Sequence, residues 1–574
     1  MLKLYRYLKP FAFLVVLVLI FVFIQAMADL QLPTYMADII NKGIQANDTG
    51  YIWRIGGLMI AISAVGIISS IFASYFASKA GTGMGRLVRN KIFTRVESFS
   101  LHEFDKLGTS TLITRTTNDI TQVQTVTVMI MRMMIYAPMI CIGGIIMALQ
   151  QDVQLTLVLA VALPILIISI VIIAKLVIPL FQVIQKKLDK INLVLRENLT
   201  GIRVIRAFNR IDEEKKRFEE ANADITKTYI KINRIMAFLM PFLMFMMQLT
   251  SISIIWFGGI RISNGMNIGA LSAFIQYAMQ IMFSVLMVAM MFIMVPRAQA
   301  AAVRINEVLE IEPEIYDPAS PKHANEQSGY VEFKDVSFNY HGSELPAISN
   351  ISFKAIPGDI TAIIGGTGSG KTTLINLIPR FYDVDTGSVS IDGVDVREMT
   401  QQELRQKIGF VPQKTVLFSG TISENIRYGK EDATDEEVSK AAEIAQATEF
   451  ISKIEDGFDH YISESGTNVS GGQKQRLSIA RALVRRPEIY VFDDSFSALD
   501  FKTDAKLRAA LKNETQDSTV FIISQRISTV MDADRIIVLD DGKIMGIGNH
   551  KELIKSCEVY REIASSQLSE EELA

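Results

Sequence analysis

Residues 360–381 read ITAIIGGTGSGKTTLINLIPRF, and this stretch decides the fold of the second half of the chain. An apolar run is followed by a glycine-rich turn that fits the pattern G-x-x-x-x-G-K-[ST], and then by a helical stretch. Strand, glycine loop and helix in this order predict a loop that cradles phosphate, because its backbone N–H groups can turn inward and the helix start adds its positive dipole end. An ordinary glycine turn is disfavoured, since the whole pattern and both flanks are present.

The side chains of this loop have distinct expected roles. Lys371 should meet the β- and γ-phosphates of a bound nucleotide, and Thr372 should coordinate Mg²⁺. The loop residues predicted to bind the nucleotide are Gly365, Gly366, Thr367, Gly368, Ser369, Gly370, Lys371, Thr372 and Thr373.

Two later segments extend the pattern. Residues 469–476 read VSGGQKQR, a glycine-rich stretch that could also face phosphate. Residues 489–494 read IYVFDD, an apolar strand that ends in two acids. Asp493 fits the carboxylate that holds Mg²⁺, often through water. Helix capping is the alternative role for paired acids at the end of a strand.

Composition limits the class of protein. The chain has 574 residues, too many for one ordinary domain. It carries 58 basic and 61 acidic side chains, so the charge balance gives no reason to expect nucleic acid as a partner. Apolar residues make up 49% and the mean hydropathy is +0.27, which suggests a mixture of membrane and soluble parts. The cysteines, Cys141 and Cys557, are too few and too separated to suggest a disulfide framework.

Six apolar stretches are long enough to cross a bilayer, near 11–30, 55–78, 131–150, 155–178, 236–260 and 268–295. The segments 79–130 and 179–235 between them are long, charged and helix-patterned, whereas 151–154 and 261–267 are short. Lysine and arginine concentrate in the long segments, which predicts that these segments and both termini are cytoplasmic. The basic N-terminus before the first span could also be a signal peptide, but no clean cleavage site follows and we expect a retained helix.

A linker follows the sixth span. Residues 311–329 read IEPEIYDPASPKHANEQSG and collect proline, acidic and small polar residues without apolar periodicity. From Val331 onward, short β-like runs alternate with helical stretches, which predicts an α/β domain. We therefore expect a transmembrane domain over 1–310, a linker over 311–328 and an α/β domain over 329–574.

The GGTGSGKT and VSGGQ motifs, in this order and behind a membrane-spanning region, resemble those of the ATP-binding cassette (ABC) exporters, in particular half-transporters of the type IV, multidrug kind. The resemblance implies an all-α transmembrane domain with six helices, followed by an α/β phosphate-loop ATPase domain. It also implies ATP as the nucleotide, Mg²⁺ as the metal and a protein that acts as an ATP-hydrolysing translocase.

The family's site residues can be carried over by position. The family's signature motif closes over the γ-phosphate of ATP bound to a partner subunit, so Ser470, Gly471, Gly472 and Gln473 would serve a second chain. Tyr340 resembles the aromatic that stacks on adenine, although a core tyrosine is the alternative. Gln413 resembles the glutamine that senses Mg²⁺ and the attacking water, and therefore counts as both a catalytic and a metal-site residue.

Two positions depart from the family pattern. Where the family usually has a catalytic glutamate after the Mg²⁺ aspartate, this chain has Asp494. Its carboxylate is one methylene shorter, and a general base needs hydrogen-bond reach to the water. Where the family has a histidine after the next strand, this chain has Gln525, which cannot carry the positive charge of an imidazole. Together with the intact signature, these changes predict slow hydrolysis on this chain and a non-identical partner whose own site is competent.

The transmembrane half also resembles exporters. Residues 100–120 and 195–208 resemble the first and second intracellular coupling segments, with plain solvated helices as the alternative. Asp29 lies near the outer end of the first span, where it is expected to reach water, and a functional role is the less favoured reading. The last two spans are rich in methionine, which suits an adaptable surface for a hydrophobic or amphipathic substrate.

These features predict one half of a dimeric exporter of amphipathic small molecules in the plasma membrane, with the nucleotide domain in the cytoplasm. A homodimeric lipid flippase or peptide exporter is the first alternative. An ATP-gated regulator with little turnover is the second, since Asp494 and Gln525 permit it.

Overall fold

A computed structural model describes residues 1–324 and 329–568 of the chain. The chain divides into two compact units, Met1–Glu97 with Thr109–Ile311, and Ser98–Gly108 with Glu312–Ala574. The end of the expected linker, residues 325–328, and the last residues of the expected α/β domain, 569–574, lie outside the described residues.

The first unit is built from helices, most of them long, because its sequence is apolar over stretches that far exceed a helical turn. They are α1 (Ala12–Asp38), α2 (Thr49–Glu97), α4 (Thr109–Thr114), α5 (Ile120–Gln151), α6 (Thr156–Thr200), α7 (Ile202–Ala207), α8 (Ile211–Ser263) and α9 (Ile268–Glu310), while α3 (Leu101–Leu107) belongs to the second unit. A 3₁₀ turn over Leu4–Phe11 precedes α1, and π-helical turns cover Ile39–Ile44 and Arg115–Asp119.

Within the described part of the chain, six helical runs are long and apolar enough to cross a membrane. They are Leu4–Ile44, Thr49–Glu97, Thr109–Gln151, Thr156–Val177, Ile211–Ser263 and Ile268–Glu310. Each overlaps one of the apolar stretches expected from the sequence. The helices on either side of residues 151–154 and 261–267 almost meet, as the short links require.

The helices of the first unit bury one another's apolar faces. The helices α1, α2, α5 and α9 pack together, and α6 packs mainly against α8. The α9 side chains Phe274, Tyr277 and Ile281 are fully buried at the centre of the first group. Near the other end of α9, the buried carboxylate of Asp119 accepts a hydrogen bond from Arg304 Nε at 2.8 Å, so this charge is paired.

The second unit contains the predicted β-structure. Its strands are β1 (Val331–Phe338), β2 (Ile348–Ala355), β3 (Ile360–Gly365), β4 (Thr386–Ile391), β5 (Val394–Asp395), β6 (Ile408–Val411), β7 (Gly420–Thr421), β8 (Tyr461–Ile462), β9 (Ile489–Asp493), β10 (Thr519–Ile523), β11 (Arg535–Asp540) and β12 (Lys543–Gly548). Its further helices are α10 (Lys371–Asn376), α11 (Gln401–Gln406), α12 (Ile422–Arg427), α13 (Asp435–Ile444), α14 (Thr448–Ile451), α15 (Gly471–Leu483), α16 (Phe501–Glu514), α17 (Ile527–Val530), α18 (His550–Ser556) and α19 (Glu558–Ser565).

The order of the strands explains how distant segments meet. One sheet has the order β12-β11-β3-β10-β9-β6, in which β12 is antiparallel and the other neighbours are parallel. The carboxyl ends of parallel strands lie at the same edge of a sheet, where open α/β sheets bind ligands. The segments that follow β3, β6, β9 and β10 therefore converge. A second, antiparallel sheet has the order β2-β1-β4-β5.

Helix α3 packs within the second unit, although the sequence places it between two membrane spans. Ser100 and Glu103 form a capping box at its start, and Glu103 Oε1 also accepts a hydrogen bond from the backbone N–H of Glu314 at 2.9 Å. The ring of His102 lies 5.2 Å from that of His341. The predicted class, a six-helix membrane domain followed by an α/β phosphate-loop domain, is confirmed.

Candidate nucleotide site

A cavity of about 390 Å³ opens at the carboxyl edge of the six-stranded sheet. It is lined by Tyr340, Ala347, Thr367, Gly368, Gly370, Lys371, Thr372, Thr373, Gln413, Asp493, Asp494, Ile523, Ser524 and Gln525. The structure thus brings together most of the loop residues with the aromatic, glutamine and acidic side chains singled out in the sequence. Gly365, Gly366 and Ser369 complete the loop but do not line this cavity.

The phosphate loop depends on glycine where the backbone turns. Gly370 has φ +95°, and a Cβ there would lie 2.8 Å from the carbonyl oxygen of Ala347. Lys371 Nζ donates to the carbonyl oxygens of Gly365 at 2.9 Å and Gly366 at 2.6 Å, and lies 3.3 Å from Ser369 Oγ. The ammonium group is therefore held across the loop, at the start of α10, where phosphate oxygens are favoured.

The residues proposed for the metal are adjacent. Thr372 Oγ1 lies 3.3 Å from Asp493 Oδ1, and the Asp493 side chain is 3% exposed. Among the described residues, no group of three or more His, Cys, Asp or Glu side chains could hold a metal by itself. One hydroxyl and one carboxylate suit Mg²⁺, which binds proteins through few carboxylates and completes its shell with water and phosphate oxygens. This pair therefore fits Mg²⁺ bound together with a nucleotide.

Burial sets the electrostatics of the site. Burial raises the pKa of the Asp493 carboxyl, while the Thr372 hydroxyl and the Lys371 ammonium oppose this change and nearby Asp494 adds to it. Burial also lowers the pKa of Lys371, and the two aspartates oppose that shift. Burial thus disfavours the charged forms of both Lys371 and Asp493. A bound polyanion would stabilise the charged lysine, and a divalent cation would stabilise the charged carboxylate.

The residue expected at the general-base position has a constrained backbone. Asp494 has φ +47°, and its N–H donates to the carbonyl oxygen of Ile523 at 3.0 Å. Its Oδ2 lies 3.5 Å from Gln413 Nε2, at the long limit of a hydrogen bond. Asp494 and Gln413 therefore contact each other directly at the wall of the cavity, and a water beside them would meet a carboxylate on a short side chain.

Gln525 lies at the rim of the same cavity and is exposed. Its carbonyl oxygen accepts a hydrogen bond from Gln567 Nε2 at 2.8 Å, and Gln567 Oε1 accepts from the N–H of Ile527 at 2.9 Å. The backbone at Gln525 is thus held in place by Gln567. Any interaction of this position with a ligand would therefore depend on the Gln525 side chain.

Tyr340 is part of an aromatic group beside the loop. Its hydroxyl lies 3.0 Å from Thr373 Oγ1, and its ring stands edge-on to Phe338 at 5.0 Å and to Tyr382 at 5.5 Å. The side chain remains 38% exposed, which is unlike a core tyrosine. The contacts with Phe338 and Tyr382 hold the Tyr340 ring in place, while its exposed surface can still contact a ligand.

The signature segment lies elsewhere in the unit. Ser470 accepts a hydrogen bond from the N–H of Gln473, and the Gln473 side chain accepts from the N–H of Ser470 at 2.8 Å, a capping box that starts α15. A Cβ on Gly472 would lie 3.0 Å from the carbonyl oxygen of Ala498, so the segment packs beside residues 497–500. None of Ser470, Gly471, Gly472 and Gln473 lines the described nucleotide cavity.

Several residues of this site were not expected from the sequence. Ile523 and Ser524 line the cavity and directly precede Gln525, so the end of β10 was a usable signal. Ala347 and Tyr382, whose ring lies beside Tyr340, belong to no recognisable sequence motif. Their positions depend on packing between elements that are far apart in the sequence.

Comparison with known proteins agrees with this geometry. The family model described as the ABC transporter transmembrane region matches residues 15–285, and that described as ABC transporter matches residues 348–497. An uncharacterized ABC transporter ATP-binding protein of Mycobacterium tuberculosis is 41% identical over 98% of this chain and 97% of its own length. Another from Bacillus subtilis is 39% identical over 99% of both chains.

One similar protein has an assigned cargo. An ATP-dependent lipid A-core flippase of Desulfotalea psychrophila is 34% identical over 90% of this chain and 90% of its own length. Similarity of this extent, covering both units, establishes the family. The chain belongs to the ABC transporters and is a type IV exporter half-transporter with a membrane-spanning unit and an ATP-hydrolysing unit.

Proposed function

We propose that this half-transporter pairs with a non-identical second subunit and exports hydrophobic or amphipathic small molecules across the plasma membrane. Its own ATP site would hydrolyse slowly, and its signature motif would complete the partner's site. We assign the transmembrane domain to residues 1–310, the linker to 311–328 and the nucleotide domain to 329–574. The basic long segments support an orientation in which both termini and the nucleotide domain are cytoplasmic.

The composition of the cavity carries this proposal. It combines the phosphate loop with Tyr340, Gln413, Asp493, Asp494 and Gln525, yet contains none of the signature residues. Such a site can bind ATP through the loop and the tyrosine. Without a second signature it lacks the glycine-rich wall that the family places over the γ-phosphate, so a partner chain would have to supply that wall.

The roles of the binding residues follow from their chemistry. Lys371 and the loop N–H groups would bind the phosphates, and the Tyr340 ring would stack on adenine. Thr372 and Asp493, with Gln413 nearby, would hold Mg²⁺, which supplies positive charge against the phosphate oxygens.

The slow site rests on two side chains. Asp494 would orient or deprotonate water from a shorter side chain than glutamate, and a misplacement of about 1 Å can cost orders of magnitude in rate. Its long 3.5 Å contact with Gln413 is consistent with such a deficit. Gln525 can accept or donate a hydrogen bond but brings no charge to the γ-phosphate.

A second candidate, lipid flipping by a homodimer, is favoured by the similarity to the lipid A-core flippase. In that case two copies of this chain would form two identical sites, and the substrate would be a membrane lipid. The two candidates differ in the subunits they need and in the cargo they move.

Transport in sealed vesicles tests the proposal. The chain would be reconstituted alone and with a half-transporter that has glutamate and histidine at the positions of Asp494 and Gln525. We expect ATP-driven uphill accumulation of the dye Hoechst 33342 with the pair and little with the chain alone, and no transport when the partner lacks its glutamate. Equal dye transport by the chain alone would overturn the heterodimer, and ATP-driven movement of a fluorescent phospholipid without dye transport would favour the flippase.

A further inference from the structure

A polar cluster lies where α1, α5 and α9 meet inside the apolar first unit. The carboxylate of Asp29 accepts a hydrogen bond from the hydroxyl of Tyr136 at 2.6 Å, and Gln25 precedes Asp29 by one turn of α1. From α9, Gln280 Nε2 donates to the backbone carbonyl oxygen of Asp29 at 3.1 Å. Asp29 is therefore partly buried and fixed by neighbouring helices, where the sequence alone suggested contact with water.

Pro33 explains why Gln280 is held in place. Proline has no N–H, so in α1 the carbonyl oxygen of the residue four positions earlier, Asp29, loses its helical donor. The amide nitrogen of Gln280 supplies the missing hydrogen bond, as side chains of neighbouring helices do in membranes. This contact fixes the other amide atom, Gln280 Oε1, which is buried and has no hydrogen-bond partner within the described residues.

The carboxylate of Asp29 also lacks a cation. Among the described residues, no lysine, arginine or histidine forms an ion pair with it. Arg132, one turn before Tyr136 on α5, does not pair with it either. A carboxylate in a membrane-spanning helix is costly unless it is paired, and such residues mark functional sites. The cluster thus offers two acceptors, Asp29 and Gln280 Oε1, to a group that carries positive charge and N–H donors.

The three helices place these groups at one depth. At 1.5 Å per residue, Asp29 lies about 22 Å from the end of its helical run at Ile44, Tyr136 about 22 Å from Gln151, and Gln280 about 18 Å from Ile268. All three distances start from the end of the unit that carries the short links. The cluster therefore lies within the span rather than at its end.

An apolar cavity lies one turn of α9 beyond Gln280, although Asp29, Tyr136 and Gln280 do not line it themselves. Ser284, one turn beyond Gln280 on α9, lines a cavity of about 380 Å³ whose other walls are almost entirely apolar and come from α5, α6 and α9. Pro138 and Cys141 of α5 are among its lining residues, shortly after Tyr136 in the sequence. A ligand for this region would combine a positively charged polar group with an apolar body.

We propose that Asp29 and Gln280 form a binding site for the cationic nitrogen group of an amphipathic organic cation. This inference rests on the proposed export function and names the chemical class of its substrate. The carboxylate supplies the charge, Gln280 Oε1 accepts an N–H, and Tyr136 orients the carboxylate. Neutral amphipathic molecules gain nothing from this charge.

The variant Asp29→Asn separates charge from structure. Asparagine keeps the shape and one oxygen that can accept from Tyr136, but it loses the negative charge and has an NH₂ donor in place of the second oxygen. Asp38→Asn is the matched control, because Asp38 lies on the same helix but pairs with Lys42 at 2.8 Å, away from the cluster. The probes are ethidium, a permanent cation with amino groups, and its uncharged reduced form hydroethidine, which has almost the same shape.

Binding would be measured by fluorescence polarisation on the full chain in lipid nanodiscs, with empty nanodiscs subtracted and ATP binding as the check of folding. We expect Asp29→Asn to weaken ethidium binding at least about tenfold, as expected when a buried charge pair loses one partner. Hydroethidine binding and the Asp38→Asn control should not change. Equal ethidium binding by wild type and Asp29→Asn would overturn the cation site while leaving amphipathic export intact, whereas a wild-type chain that binds neither probe would overturn both.

Discussion

The two glycine-rich segments of the nucleotide unit differ in what surrounds them. The phosphate loop, residues 365–373, opens into a cavity shared with Tyr340, Asp493 and Gln525. The signature segment, residues 469–473, satisfies its own polar groups in a capping box and lines no part of that cavity. The phosphate loop thus lies beside other candidate ligand-binding residues of the same unit, whereas the signature segment is preorganised but does not belong to the described nucleotide cavity. This contrast supports the proposal that the chain contributes one half to each of two ATP sites.

The largest effect should come from removing the loop's charge. Lys371→Ala takes away the ammonium that we propose binds the phosphates, and we expect ATP affinity to fall at least about a hundredfold, because a charged group would be left without its partner. Equilibrium binding of a fluorescent ATP analogue to the purified chain measures this.

Lys474→Ala is the matched control for that change. Lys474 belongs to the signature helix, and its Nζ donates to the carbonyl oxygen of Ser465 at 2.9 Å. Its loss should leave ATP binding by this chain unaltered. Similar losses in both variants would remove the distinction between the two segments.

A charge placed on the signature should affect only the partner's site. A Cβ on Gly471 meets nothing closer than Ala498 Cβ at 4.0 Å, so a side chain can start there without a close contact. Because it would oppose the γ-phosphate, Gly471→Asp should lower the ATPase rate of the assembled pair about tenfold or more while leaving ATP binding to this chain unchanged.

Gly471→Ala has the same steric demand at Cβ without the charge, and it should retain most of the pair's activity. If Gly471→Asp instead weakened ATP binding to the isolated chain, the signature would serve its own site and the comparison would fail.

The adenine-stacking role predicts a smaller effect. Tyr340→Ala removes the ring, and we expect about tenfold weaker ATP binding, since stacking of a base on an aromatic side chain contributes about 1–3 kcal/mol. Tyr340→Phe loses only the contact with Thr373 and should bind nearly as well as wild type. The affinity ratio of ATP to inorganic triphosphate provides the readout, because only ATP presents a base. An unchanged ratio in Tyr340→Ala would contradict stacking.

The smallest effect should come from the residue that supports Tyr340. Tyr382 stands edge-on to Tyr340 with ring centroids 5.5 Å apart, and such pairs contribute about 0.5–1.5 kcal/mol. We expect Tyr382→Leu to weaken ATP binding about threefold, with triphosphate binding unaffected. Isothermal titration calorimetry can resolve this difference, and an effect as large as that of Tyr340→Ala would mean that Tyr382 itself contacts the base.

The residues that the sequence singles out come together where strands end. The phosphate loop and Gln525 follow apolar strands and Asp493 ends one, and parallel strands bring their carboxyl ends together regardless of separation in the chain. Gln413 follows β6 in the same way. The membrane helices could also be predicted from the sequence, because the length of an apolar stretch is a local property.

What the sequence could not predict depends on side-chain packing between distant elements. Helix α3 groups with the nucleotide unit through Glu103 and His102. Neither residue belongs to a periodic pattern from which its contact partner could be predicted. The contacts of Asp29 with Tyr136 and Gln280 join three helices whose mutual rotation no local pattern specifies. Such residues look like solvated polar side chains until the fold brings them together.

The ATPase rate of this chain alone tests the central claim most directly, measured for wild type and for the double variant Asp494→Glu with Gln525→His. We expect wild type to bind ATP but to hydrolyse almost none, and the double variant to gain clear turnover. Robust wild-type hydrolysis that Asp494→Asn abolishes would contradict it, because the site on this chain would then be competent and the exporter self-sufficient.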